Sequence, residues 1–136
     1  PADWNFPGPD TKLQRDKDSI VNAWPLFLMQ DLARYPICDN TWLGARHFIT
    51  HGDLQEWTKF RSVLLSNALD AHLKFMEDCI LDEDYKVNFY QMNLLFQEEQ
   101  KIIDKHGQPG IDFLMEKGLW EKQIIDPNRQ PVILCA

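Results

Sequence analysis

The sequence is poor in cysteine and glycine and contains no long apolar run. Its three cysteines are odd in number and widely spaced, unlike the paired framework of a disulfide-rich secreted domain. The six glycines form no phosphate-binding or dinucleotide-binding loop, and no G-x-S-x-G motif occurs. The longest apolar run extends only from Ala23 to Met29, whereas a membrane-spanning helix needs about 20 apolar residues. These absences argue against a disulfide scaffold, a helical membrane protein and nucleotide or acyl-transfer chemistry.

Basic side chains are scarce relative to acidic ones. Fourteen Lys and Arg residues stand against 21 Asp and Glu residues, which gives a formal net charge of -7. Nucleic acid and anionic membranes carry the same sign of charge, so both are disfavoured as partners. Unpaired cysteines and the lack of an Asn-x-Ser/Thr acceptor favour a cytoplasmic or nuclear location. A signal peptide removed before Pro1 is the alternative that the sequence leaves open.

The composition is that of one ordinary globular domain. The chain has 136 residues, of which 44% are hydrophobic, and we predict a single domain over residues 1–136. Residues 1–17 hold three prolines and no apolar period, which predicts an irregular arm. Residues 18–125 carry helical apolar spacing, and residues 126–136 are predicted as an extended tail. The predicted fold is all-α, a compact bundle of about five helices around one long central helix.

The long central helix is predicted over Asp53–Leu81. Asp53 and Glu56 have nearly the spacing of a capping box, and neither Gly nor Pro interrupts the segment. Two apolar stripes then recur at steps of three and four residues, which is typical of a buried helix face. The stripes are Trp57, Phe60, Leu64, Ala68, Ala71, Phe75 and Cys79, and beside them Leu65, Leu69, Leu73, Met76 and Ile80.

A second long helix is predicted over Tyr85–His106, where Gly107 and Pro109 stop it. Its first half, Tyr85–Phe96, is apolar nearly all round, which predicts that this half is buried or contacts a partner. Shorter helices are predicted over Pro25–Arg34, Thr41–Thr50 and Ile111–Lys117. A strand through His47–Thr50 is the alternative to the second of these helices.

His47 and His51 are the candidate metal ligands. On a helix their four-residue spacing places both imidazoles on one face, as a metal pair requires. The glutamate of an H-E-x-x-H motif is absent, and hydrogen bonding to the free carbonyls of a last helical turn is the alternative role. The alternative function is therefore that of a metal-dependent helical protein that uses these histidines and nearby carboxylates. The favoured function, that of a protein-interaction module, needs no cofactor.

Five tryptophans are many for a chain of this length. Trp side chains are enriched where an apolar body packs against a protein partner. Trp4 and Phe6 lie in the proline-rich arm and Trp24 lies close behind it, so we expect these three side chains to contact a partner. The other three, Trp42, Trp57 and Trp120, are predicted to build the core.

An acidic segment precedes the second long helix. It consists of Glu77, Asp78, Asp82, Glu83 and Asp84. The spacing excludes an EF-hand, because Lys86 and Val87 occupy positions that need a ligand and a glycine. We expect these carboxylates to face solvent and to meet a basic surface on a partner. We expect Tyr85 and Phe89 to add apolar contacts with a partner beside these carboxylates. The favoured function is therefore that of a non-enzymatic protein-interaction module that also forms a homodimer.

Overall fold

A computed structural model describes residues 17–67, 79–80, 83, 86–119 and 126–133. The elements are, in chain order, α1 (Lys17–Cys38), β1 (Phe48–Thr50), α2 (Leu54–Trp57), β2 (Ser62–Asn67), β3 (Cys79–Ile80), β4 (Lys86–Val87), β5 (Tyr90–Leu95), α3 (Gln97–His106) and α4 (Gln108–Glu116). Helices and antiparallel strands therefore share the chain. The prediction of an all-α bundle is wrong.

Strand β2 is the centre of a three-stranded antiparallel sheet with the order β1-β2-β5. Val63 of β2 lies opposite Ile49 of β1 on one side and opposite Leu94 of β5 on the other. Strands β3 and β4 form a separate two-stranded antiparallel sheet. The alternative of a strand through His47–Thr50 is confirmed by β1, and the helix over Thr41–Thr50 is not formed.

Buried side chains lie on both faces of the three-stranded sheet. On one face α1 and α2 contribute Trp24, Leu28, Leu32 and Leu54, which cluster with Ile49, Val63, Leu65 and Leu94. On the other face α3 and α4 contribute Ile102, Ile103, Ile111, Leu114 and Met115, which cluster with Leu64 and Leu95. The sheet is thus the middle layer of three, with helices on either side.

The predicted helix over Asp53–Leu81 is replaced by α2, β2 and β3. Successive side chains of a strand point to opposite faces, and both faces of β2 are covered. Val63, Leu64 and Leu65 are consequently all buried and form a continuous apolar run. Such a run has no period of two, so its spacing also fits a buried helix. Residues 68–78 of the predicted helix lie outside the described residues.

The predicted helix over Tyr85–His106 is also wrong in its first half. Strands β4 and β5 occupy that half, and Leu94 and Leu95 are buried because their side chains face opposite layers. The C-terminal half is confirmed as α3, which ends at His106 with Gly107 at a φ of 60°. A positive φ favours glycine, which is why the helix end could be predicted.

Helix α1 extends beyond the end predicted at Arg34 and continues through Tyr35 and Pro36 to Cys38. The N–H of Asp39 donates to the carbonyl of Tyr35 at 3.0 Å, and that of Thr41 donates to the carbonyl of Pro36 at 3.0 Å. These bonds close the last turn beyond the proline. Of the helices that the structure describes, none has the length and apolar character that a membrane crossing requires.

A buried ion pair fastens residues 126–133 to the start of α3. Arg129 Nη1 donates to Glu99 Oε1 at 2.5 Å and Nη2 donates to Glu99 Oε2 at 2.7 Å. Glu99 also accepts from the backbone N–H of Phe96 at 2.8 Å and of Val132 at 2.9 Å. The segment begins with a turn, because the Arg129 N–H donates to the carbonyl of Asp126. This tail segment is therefore anchored without regular secondary structure.

Candidate functional site

An exposed apolar surface lies on the outer side of α1 and on the loop after it. Met29 and Ile37 of α1 are 53% and 83% exposed, and Trp42 of the loop is 67% exposed. Leu28 and Leu32 of the same helix are buried against the sheet. Helix α1 thus carries both buried and exposed apolar side chains. We call Met29, Ile37 and Trp42 the Trp42 surface.

The Trp42 indole is held in place although most of it is exposed. Its ring centroid lies 4.1 Å from that of His47, with the two planes at 55°. Gly44 is buried, and a Cβ atom there would lie 2.4 Å from Cζ3 of Trp42. Only a glycine permits this close approach. The indole is therefore positioned before any partner arrives, which lowers the entropic cost of binding.

A groove of about 500 Å³ opens beside Trp42. Tyr35, Phe48 and Ile111 contribute apolar wall, and Gln108 adds a polar edge. An apolar floor with a polar edge is the usual arrangement at the centre of a protein interface. The groove can receive a side chain of a partner that packs on the indole.

Arg46 fixes the loop between Trp42 and β1. Its N–H donates to the carbonyl of Leu65 at 2.7 Å, while the N–H of Leu65 donates to the carbonyl of His47 at 2.9 Å. Arg46 and His47 thus both lie opposite Leu65, which is a β-bulge. Within the bulge Arg46 has a φ of 69°, a backbone conformation that favours glycine. Its side chain donates from Nε to Gln108 Oε1 at 2.9 Å and forms an ion pair with Asp112. The bulge and the ion pair together hold His47 under the indole.

His47 and His51 lie at the two ends of β1 rather than on one helix. Four residues of extended chain separate them by about 13 Å, too far for one shared metal ion. Nε2 of His51 lies 3.3 Å from Asp31 Oδ2, and its ring packs against Trp57. In the described part of the chain, no group of three His, Cys, Asp or Glu residues could hold a metal. The helical pair predicted from the spacing is wrong.

The structure places some of the predicted partner-binding residues and leaves others undescribed. Trp24 is only 6% exposed and packs on Phe60 in the core. Phe89 is 39% exposed, and Glu83 is exposed. The others, Trp4, Phe6, Glu77, Asp78, Asp82, Asp84 and Tyr85, lie outside the described residues. An interface at Phe89 and Glu83 stays a prediction.

The prediction that Trp42 builds the core of a helical domain is wrong. Trp42 is a surface residue, 67% exposed. The residue that indicates an exposed indole is Gly44, two residues after Trp42. Residues 41–44 have no regular secondary structure. A glycine so close to an aromatic residue permits the ring to fold back onto the backbone.

Comparison with known proteins identifies the family. The family model described as Suppressor of fused protein (SUFU) matches residues 9–130, a range that includes all the described helices and strands. Searches of curated proteins and of solved structures gave no significant match. Domains of this family are protein-interaction modules of cytoplasmic and nuclear signalling proteins. The chain belongs to the Suppressor of fused (SUFU) family.

Proposed function

We propose that this chain is a non-enzymatic protein-interaction module that binds a protein partner through the Trp42 surface. The observation that supports the proposal is a tryptophan fixed by its neighbours and yet 67% exposed. Interface residues that contribute most to affinity are enriched in Trp and lie in well-packed surroundings. Met29 and Ile37 of α1 are further exposed apolar side chains. Family membership supports a protein as the partner.

The exposed area of Trp42 is large enough to dominate an interface. An aromatic side chain buries about 150–250 Å² when covered, of which two thirds is still available here, or roughly 100–170 Å². At about 25 cal/mol per Å², covering that area contributes roughly 2.5–4 kcal/mol. Loss of the indole should therefore weaken binding by roughly 100-fold or more.

The test compares two exposed aromatic residues. The wild-type chain captures its partner from the cells that produce it, and calorimetry with the purified partner then measures Kd. Trp42→Ala should lose about 100-fold in affinity with little change in Tm, because the indole is mostly exposed. Phe89→Ala is the matched control at the surface predicted from sequence. A Trp42→Ala chain that binds as tightly as the wild type, while Phe89→Ala does not, would refute the proposal.

Gly44→Ala gives a second test of the fixed indole. The added methyl group displaces the ring, so partner affinity should fall although Trp42 remains. Gly52→Ala is its control, because a Cβ at Gly52 meets nothing within 4 Å. Equal Kd values for the two variants would show that the position of the indole does not matter.

We further propose that a second copy of the chain is one such partner and that the acidic segment contacts a basic surface. The homodimer is predicted from the apolar segment Tyr85–Phe96 together with the N-terminal arm, and the Trp42 surface adds exposed apolar area to the described residues. Sedimentation of the chain alone at high micromolar concentration distinguishes a homodimer from a chain that binds only a different protein. A particle of 16 kDa would contradict the homodimer and leave a different protein as the partner.

A further inference from the structure

Three cations that have no side-chain partner in the described part of the chain lie close together on this acidic protein. Lys59 and Lys101 are exposed and Arg61 is half-buried. Among the residues that the structure describes, none of their side chains has a hydrogen-bond or ion-pair partner. A formal charge of -7 supplies many carboxylates with which they could have paired. Their isolation leaves three positive charges available to a ligand.

These cations line two clefts that meet at Arg61. The first cleft, of about 320 Å³, lies between the end of β1 and α3 and includes Arg61 and Lys101. The second, of about 360 Å³, lies beside residues 127–131 and includes Lys59 and Arg61. Gln97 lines both clefts. Because Arg61 and Gln97 line both, we call the two clefts together the basic groove.

The walls of the basic groove are fixed by the fold. The N–H of Arg61 donates to the carbonyl of Leu95 at 2.8 Å, which ties the start of β2 to the end of β5. The buried pair of Glu99 and Arg129 holds the segment that forms the far wall. A binding site with walls of this kind loses little conformational entropy when it is occupied.

The polar lining suits carboxylates. Gln55, Gln97 and Gln100 can donate side-chain N–H groups, and each cation can donate to a carboxylate oxygen. Glu98 and Asp104 are the acidic side chains among the described lining residues, so they offset part of the positive charge. The remaining excess of charge is local, because the chain as a whole is acidic and repels a long polyanion such as nucleic acid.

We infer that the basic groove binds an acidic, Asp- and Glu-rich segment of a partner protein. Opposite charge selects the segment, and a peptide with several carboxylates, unlike a single ion, can reach the cations of both clefts. The groove shares no residue with the Trp42 surface, so this second contact goes beyond the proposed function. One partner could engage both surfaces, in which case the groove determines the charge that its segment must carry.

Fluorescence anisotropy tests the inference with a labelled peptide of eight glutamates between Gly-Ser flanks. The full chain should bind it saturably, and added salt should weaken binding. Lys59→Gln, Arg61→Gln and Lys101→Gln should each raise Kd about two- to fivefold, as expected for partly exposed ion pairs. Lys105→Gln is the matched control, because Lys105 is an exposed residue of α3 that lines neither cleft. Its Kd should equal that of the wild type.

The measurement separates this inference from the proposed function. Trp42→Ala should bind the glutamate peptide as the wild type does, even where it no longer binds the protein partner. No saturable binding, or equal losses for Lys105→Gln and the groove variants, would overturn the inference. Tighter binding of an eight-nucleotide oligothymidylate than of the peptide would overturn it as well. Far-UV circular dichroism confirms that each variant is folded.

Discussion

Replacing Glu99 by Gln tests how much the buried ion pair contributes to stability. Glu99 is fully buried, and the Arg129 side chain is 8% exposed. The substitution keeps the shape of the side chain and removes its negative charge. It also places an NH2 group among three donors, namely the Arg129 guanidinium and the N–H groups of Phe96 and Val132. The guanidinium is then buried with no opposite charge.

The expected loss is a large part of the total stability. Removing one partner of a buried pair costs about 3–5 kcal/mol, because the other charge stays out of water. A domain of this size has about 5–15 kcal/mol in all. At about 3 °C per kcal/mol, Tm should fall by roughly 10–15 °C. Stacking of the Arg129 guanidinium 4.6 Å from the Phe96 ring centroid persists and does not offset the lost charge.

Calorimetric and urea unfolding of Glu99→Gln, with Asp112→Asn as control, measure this loss. The control also removes the carboxylate of an arginine pair, but Arg46 and Asp112 are 42% and 54% exposed. An exposed pair contributes about 0–1 kcal/mol, so the control should lose at most a few degrees in Tm. Equal losses in the two variants would refute the reasoning. Additive effects in a double-variant cycle of Glu99→Gln with Arg129→Gln would refute it too.

Two further substitutions have definite expected outcomes. Arg46→Gly and Arg46→Ala both lose the ion pair, but only glycine accepts the φ of 69° without strain. The Gly variant should therefore be more stable than the Ala variant by about 1 kcal/mol in urea unfolding. A more stable Ala variant would contradict a strained bulge. Changing Glu77 and Asp78 together to Lys should slow association with a basic partner and flatten its salt dependence in stopped-flow measurements. An unchanged association rate at low salt would mean that the acidic segment does not guide binding.

Structural features that depend on residues close together in the sequence could be predicted from it. Gly107 ends α3, and the turn from Asp126 to Arg129 forms where a proline and an asparagine permit it. Strand β2 could not be predicted, because its identity depends on β5 and on helices far along the chain that cover both of its faces. A residue such as Leu64 is buried by either fold, so its hydrophobicity does not decide between them.

The candidate site was less predictable than the core. The exposure of Trp42 depends on the backbone at Gly44 and on a bulge that pairs Arg46 with Leu65 across the sheet. The number of tryptophans led to the prediction of an interaction surface, and their positions suggested Trp24, which the structure places in the core. The basic groove joins Lys59 and Arg61, which are two residues apart, with Lys101, which lies 40 residues beyond Arg61, so the local sequence does not show that the three cations meet.

The central position of β2 has a consequence for how the chain folds during synthesis. Ser62 pairs with Leu95, and Leu64 is covered by Met115 and its neighbours, so the sheet and its cover are complete only after residue 115 has been made. At about 5–20 residues per second, Val63 to Leu65 then remain for seconds beside an unfinished sheet. Contacts between distant residues also slow folding itself. During that interval the run from Val63 to Leu65 is an exposed apolar segment of the kind that favours aggregation.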